Sequence, residues 1–307
     1  MSDLPDGAWP VMLTPFSADL SVDWDVLDGY TDWLIAHDAA GLFPVALSGE
    51  MYEMPEAERL AVARRVVDRA AGRVPVLASI AEAGTDAEIA AAAARLAATG
   101  VDAVVLIAAL LLPEGADEST LRPTVTAVLE SNPGIQFGIY ECPLPYHRIL
   151  SLDAVEWLAE TGRFVFFKET SHDVALMAQR VAAASGTPMK VYNAGIETLV
   201  ESLEVGVSGL SGWVVNIYPE YVARLCASAA GIPRNEALAF QQVLDSVERG
   251  MGATYPSSAK YLLERRAQIG FQEVSRWRPE PLDHAALDEL AGLIDALPTA
   301  HDEVLPR

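Results

Sequence analysis

The sequence predicts an α/β chain: a closed (β/α)8 TIM barrel over residues 1–219, followed by a C-terminal helical extension over residues 220–307. Three observations carry this reading. Between Trp9 and Ser211, eight short runs of strand character alternate with segments whose apolar residues recur at helical spacing. The strand runs are apolar throughout instead of alternating, as in parallel sheets covered on both faces. No G-x-G-x-x-G or Walker-type loop follows any run, which disfavours a doubly wound nucleotide binder and leaves the barrel.

Taken in order, Trp9 to Phe16 reads as a short first strand stopped by Pro15. Val22 to Ala36 is the first helix, with aspartates in its first turn. Gly41 to Val45 is the second strand, running into the small polar turn Ser48-Gly49-Glu50. Pro55 opens a helix to about Ala71, Val74 to Ala81 is a strand, and Thr85 or Asp86 caps an alanine-rich helix to Thr99. Strands at Val101–Ala109, Ile135–Glu141, Phe164–Lys168, Lys190–Asn193 and Val207–Ser211 follow. They are separated by helices at Ser119–Glu130, Asp153–Thr161, Met177–Ala184 and Ile196–Glu204. Beyond Pro219 the pattern is purely helical: Glu220–Ala229, Asn235–Glu248, Ser257–Gln268 and His284–Leu297.

Composition narrows the function. The formal net charge is -22, which argues against nucleic acid or an anionic membrane surface as partner. An anionic substrate then needs a local positive or amide-rich pocket. Cys142 and Cys226 are too few for a disulfide framework, and the N-terminal residues show no basic stretch leading into an apolar one. A cytoplasmic protein is expected. None of the five histidines, among them His37, His284 and His301, pairs with another at metal-ligand spacing, so no catalytic metal is expected.

The lysines are the informative residues. There are three, Lys168, Lys190 and Lys260, against eighteen arginines. Lys168 ends the aromatic run Phe164-Val-Phe-Phe-Lys168. An amine in an apolar setting loses its proton and becomes a nucleophile towards a ketone, which a guanidinium does not. In a barrel, chemistry sits where strands end, and Lys168, Ser48-Gly49-Glu50 and Tyr140-Glu141 all fall at such ends. Tyr140 offers a phenol for proton transfer, and Ser48 with the Gly49 amide a nest for a carboxylate. Arg148 and His147 follow the fifth strand and are candidates to meet a substrate anion, whereas Glu50 and Glu53 read as solvated loop acids.

These residues resemble the dihydrodipicolinate synthase/N-acetylneuraminate lyase family of pyruvate-type Schiff-base aldolases, over nearly the whole chain. Thr14-Pro15-Phe16 is similar to its first-strand signature, Gly41 to Glu50 to its carboxylate loop, and Phe167-Lys168-Glu169-Thr170 to its lysine strand. Tyr140 matches its proton-shuttling tyrosine, and Gly206 to Ser211 with Asn216 and Pro219 its eighth strand and following helix. The resemblance implies a barrel, usually homotetrameric, in which Lys168 forms an imine with a 2-keto acid and no cofactor is needed. Tyr140 would act as acid and base, and Ser48, Gly49 and Ser211 would bind substrate.

The departures from the pattern set the expected specificity. The relay hydroxyl of the loop is replaced by Leu47, and the fourth strand ends in Ala109-Leu110-Leu111 where the synthases carry a relay tyrosine. The arginine that holds a second carboxylate is missing from Glu141-Cys142-Pro143-Leu144-Pro145, which argues against authentic dihydrodipicolinate synthesis. Leu47, Leu110, Leu111 and Leu144 would make the pocket beyond the keto acid more apolar, while Glu141 would repel a second anion. The expected activity is therefore a lyase or hydratase-aldolase on a 2-keto acid with an uncharged remainder, pyruvate being product or donor. A keto-deoxy sugar-acid dehydratase or aldolase, and a barrel that binds a keto acid without turnover, are the alternatives.

Overall fold

The structure, a computed structural model, describes residues 3–227 and 232–297. Eight parallel strands form the core: β1 Gly7–Ala8, β2 Leu42–Val45, β3 Val76–Ser79, β4 Ala103–Ile107, β5 Phe137–Tyr140, β6 Phe164–Glu169, β7 Lys190–Asn193 and β8 Gly209–Leu210. Their order is β1-β8-β7-β6-β5-β4-β3-β2. Main-chain bonds join the two ends of this order: Ala40 N–H donates to Ala8 O at 2.8 Å, Phe43 N–H to Pro10 O at 3.0 Å, and Met12 N–H to Phe43 O at 3.0 Å. The sheet is thus a closed (β/α)8 barrel, as the alternating pattern predicts.

Two strand boundaries differ from expectation. The first strand lies at Gly7–Ala8, before Trp9 and not after it. Pro10 and Pro15 lack the N–H that a continuous ladder needs, so the stretch from Trp9 to Phe16 is buried but irregular. The fourth strand stops at Ile107, and Ala108–Leu111 forms a helical turn, α4, from residues with high helix propensity.

Helices α1 Trp24–Ala36, α2 Glu56–Ala70, α3 Asp86–Ala97, α5 Leu121–Ser131, α6 Leu152–Glu160, α7 Val174–Ala184 and α8 Leu199–Glu204 alternate with the strands. Side-chain caps set several of their starts: Asp23, Ser151 and Asp173, and at Thr85 a capping box closed by Glu88. The barrel interior is a packed aromatic stack. Trp9 lies 5.4 Å from Phe166, Phe166 lies 4.6 Å from Tyr192, and Phe43 contacts both Phe166 and Tyr140. At the β1–β8 seam a Cβ on Gly209 would stand 2.0 Å from Gly7 O, so only glycine fits there.

Four further helices follow: α9 Pro219–Ala227, α10 Arg234–Met251, α11 Ser257–Ala267 and α12 His284–Asp295. The expected helix end at Ala229, His301, and the part of the extension past Leu297 lie outside the described residues. Glu50, expected as a solvated acid, is instead buried where the extension meets the barrel. Its carboxylate accepts Lys260 Nζ at 2.6 Å, Ser275 Oγ at 2.9 Å, and the backbone N–H groups of Arg276 and Trp277 at 2.7 and 3.0 Å. Phe16 lies under the two cations, 4.6 Å from Lys260 Nζ and 4.2 Å from the Arg276 guanidinium. Burial depresses the Lys260 pKa, and the Glu50 carboxylate opposes that by attraction.

Removing one member of a fully buried pair strands the other's charge, at a cost of about 3–5 kcal/mol. Lys260→Met is expected to lose stability on that scale in urea unfolding, and Glu50→Gln/Lys260→Met to lose clearly less. A loss below about 1 kcal/mol for the single variant would show that the pair behaves as a solvated one.

Candidate active site

Tyr140 and Lys168 occupy the last pair of the β5–β6 ladder, directly opposite each other. Paired residues of neighbouring strands point to the same face, so both side chains enter the barrel. Lys168 Nζ lies 4.7 Å from the Tyr140 ring centroid, and both residues are buried, at 4 % and 3 % exposure. Burial pulls the Lys168 pKa down to about 7, while Cys142 and Glu248 oppose the shift by attraction. Burial also pushes the Tyr140 phenol well above its ordinary value, so it stands as a neutral donor.

The same pleat turns the neighbours outward. Glu141 and Glu169 follow Tyr140 and Lys168 by one residue and meet Arg180 of α7 behind the sheet. Arg180 Nη2 donates to Glu141 Oε1 at 2.7 Å and Nη1 to Oε2 at 3.1 Å, and Nη1 also bonds Glu169. Leu150 N–H and Thr170 N–H complete the shell of Glu141. Glu141 therefore does not face the pocket, and its expected repulsion of a second anion falls away.

Ser48 and Gly49 sit in a buried 3-10 turn, Leu47–Gly49. Gly49 is required by contact, since a Cβ would stand 2.6 Å from Pro44 O and 3.0 Å from Met12 O. Thr14 Oγ1 donates to Gly49 O at 2.7 Å, which accounts for the Thr14-Pro15-Phe16 motif. The Gly49 N–H closes the turn on Ala46 O at 3.0 Å, so of the expected nest the Ser48 hydroxyl is the group that remains, in contact with the Tyr255 phenol. Ser211 follows β8 directly, fully buried with its hydroxyl unpartnered. Leu47, in that turn, and Leu111, at the end of α4, are buried, at 6 % and 8 % exposure. Arg148 is engaged elsewhere: Nη1 donates to Ala116 O at 2.7 Å and Nη2 lies 3.9 Å from Glu118. It is held on a neighbouring loop and not offered to an anion. Among the described residues no group of three His, Cys, Asp or Glu side chains is placed to hold a metal ion.

Three participants escaped the sequence reading because they come from outside the strand ends. Tyr255, after α10, stacks on Trp213 at 4.2 Å and accepts Asn216 Nδ2 at 2.9 Å. Glu248 of α10 accepts Val214 N–H at 2.8 Å, and its half-buried carboxyl is pushed up to about 7, chiefly by desolvation. Tyr52, on the loop after Ser48-Gly49, donates to Leu144 O at 2.9 Å and contacts the buried Cys142 thiol. No periodicity marks these positions; the helical extension brings Glu248 within the field of Lys168 and Tyr255 within that of Tyr140.

A lysine of lowered basicity beside a neutral phenol, deep in a barrel mouth, is an arrangement chemically able to attack a ketone and to move a proton. In comparison with known proteins, the model of the "Dihydrodipicolinate synthetase family" matches residues 5–297, and the chain belongs to that family of lyases. An "Uncharacterized DapA-like lyase" of Halobacterium salinarum is 29% identical over 80% of this chain and 79% of its own. A "Probable 5-dehydro-4-deoxyglucarate dehydratase" of Bradyrhizobium sp. is 32% identical over 70% of this chain and 67% of its own. Among solved structures, dihydrodipicolinate synthase DapA-2 of Bacillus anthracis superposes with a TM-score of 0.84 at 21% identity, covering 97% of this chain and 100% of that one. YagE of E. coli K12, solved in complex with pyruvate, superposes with a TM-score of 0.82 at 22% identity over 94% and 97%. At those identities the superpositions bear on the fold.

The Glu248 charge raises the Lys168 pKa, so Glu248→Gln is expected to lower it further. Competitive acylation across pH, read on the three lysine peptides by mass spectrometry, is expected to show Lys168 half-deprotonated near about 7, and at lower pH in Glu248→Gln. An unmoved midpoint in the variant would place the carboxyl outside the lysine's field.

Proposed function

We propose that the chain is a Schiff-base-forming lyase that acts on a 2-keto acid, with pyruvate as product or donor. The observation that carries this is the buried Lys168 amine, lowered to about 7, placed opposite Tyr140 at the strand ends. A free amine attacks the ketone, loss of water gives an imine, and the imine draws electrons from the bond being broken or the C3 proton being removed. The lysine supplies its own electron sink, so no cofactor or metal is invoked. Tyr140, neutral and in contact range, moves the proton. The Ser48 hydroxyl, backed by Tyr255, is assigned to the substrate carboxylate.

The rest of the pocket has two characters. Leu47 and Leu111 give an apolar wall, which suits an uncharged remainder. Glu248, Tyr255 and the unpartnered Ser211 hydroxyl give a polar one. This second wall favours a hydroxyl-bearing remainder, hence elimination of water from a keto-deoxy sugar acid, in keeping with the name of the Bradyrhizobium relative. Both reactions share the imine. A binder without turnover has no need for a lysine poised near neutral pH.

Borohydride reduction with pyruvate, followed by peptide mass spectrometry, is expected to place a stable adduct on Lys168 and none in Lys168→Ala. Trapping depends on the unprotonated amine, so it should rise with pH and level off above about 7. Folded protein that gives no adduct with pyruvate, 2-oxobutyrate or longer 2-keto acids would sink the assignment. Pyruvate release, coupled to lactate dehydrogenase, then separates carbon–carbon cleavage from dehydration.

A further inference from the structure

Lys168 and Tyr140 serve the imine and the proton at C3, but both reactions assigned to the site also act on a hydroxyl at C4. Aldol cleavage turns that hydroxyl into a carbonyl, and dehydration expels it from the enamine. The aliphatic side chains of Leu47 and Leu111 offer it no bond. His147 is held where it can. Residues 146–148, beyond the end of β5, are each tied down. Tyr146 Oη donates to Ala109 O of α4 at 2.8 Å, and Arg148 Nη1 to Ala116 O at 2.7 Å. Between them His147 Nε2 lies 2.7 Å from Thr170 Oγ1. Thr170 is buried two residues beyond Lys168, and its hydroxyl donates at 2.8 Å to the carbonyl of Glu141, the residue after Tyr140. The imidazole is thereby fixed at the end of the β5–β6 pair that carries both reacting groups.

These bonds decide the tautomer. The Glu141 carbonyl only accepts, so the Thr170 proton is committed to it, and Thr170 Oγ1 accepts from His147. Nε2 therefore carries the hydrogen, and Nδ1 of the neutral ring presents a lone pair. No hydrogen-bonding group among the described residues meets that nitrogen, and the residue is exposed. Desolvation, and after it the charge of His172, holds the ring below its ordinary pKa against the attraction of Glu169, which keeps it neutral above about pH 7. We propose that His147 Nδ1 accepts a hydrogen bond from the C4 hydroxyl of the substrate and so favours 4-hydroxy-2-keto acids over their deoxy counterparts. The proposal rests on the Schiff-base reading above. It gives a different task to a residue expected from the sequence to meet an anion, because a neutral ring with only a lone pair free offers nothing to a carboxylate.

Imine formation tests this without any need for turnover. Borohydride trapping on Lys168, counted by peptide mass spectrometry over a range of ligand concentrations, gives half-saturation values for pyruvate, 2-oxopentanoate and 4-hydroxy-2-oxopentanoate. For the last, an adduct of the intact acid or of pyruvate counts, so cleavage does not hide binding. His147→Phe is expected to raise the half-saturation concentration of the 4-hydroxy acid at least about fivefold, the scale of one lost hydrogen bond, and to leave the other two within about twofold. His147→Gln keeps a donor for Thr170 but has no acceptor at the place of Nδ1, and is expected to match His147→Phe. An unchanged value for the 4-hydroxy acid in either variant would overturn the proposal. A parallel rise for all three ligands would mark a packing role and overturn it too, as would a parent protein that takes up pyruvate but not the 4-hydroxy acid. Absence of any pyruvate adduct in the parent would instead remove the Schiff-base reading, and this selection with it.

Discussion

The carboxylate of Glu50 is the constraint on which the site depends. It terminates the turn that presents Ser48, in a left-handed backbone conformation (φ 61°) that a non-glycine residue adopts at a cost. Four donors from residues 260–277 hold it there, and no bulk water competes. The same network draws in Phe16 and, through Thr14 and Gly49, the irregular segment after β1. Loop, first strand and helical extension are thus joined at one buried charge. A salt bridge of this kind adds little net stability over an apolar replacement, but it fixes geometry, because any other arrangement leaves a charge unpaired.

A second buried cluster does similar work behind the sheet. Arg180 gathers Glu141 and Glu169, the residues that follow Tyr140 and Lys168. With their carboxylates anchored outside the barrel, the two preceding side chains are held inside it. The ion cluster on one face of the sheet and the Tyr140 and Lys168 side chains on the other are consequences of one alternation.

The barrel was legible in the sequence because its signal is distributed: eight apolar runs in alternation with helices survive errors at any one boundary. The errors fell where local chemistry overrode the pattern, at Pro10 and Pro15 in the first strand and at the alanine-leucine run after Ile107. Lys168 stood out through its rarity and its aromatic strand, and Tyr140 through its place at the next strand end. Glu141 was misjudged although period-2 alternation with Tyr140 was sufficient to turn it outward. Glu50, Arg148, Glu248, Tyr255 and Tyr52 were beyond such reading. Their roles follow from contacts across long stretches of chain, Glu50 to Lys260 and Tyr52 to Leu144 among them, which no local period encodes.

The clamp on Glu50 also orders events during synthesis. A chain emerging from the ribosome presents all eight strands and Lys168 well before Lys260, Ser275 and the amides of Arg276 and Trp277 are available. Until then the Ser48 turn has its strained residue but none of the groups that hold it. The barrel strands therefore leave the tunnel with Lys168 in place and the Ser48 turn unset, and that turn is fixed only when residues 260–277 follow.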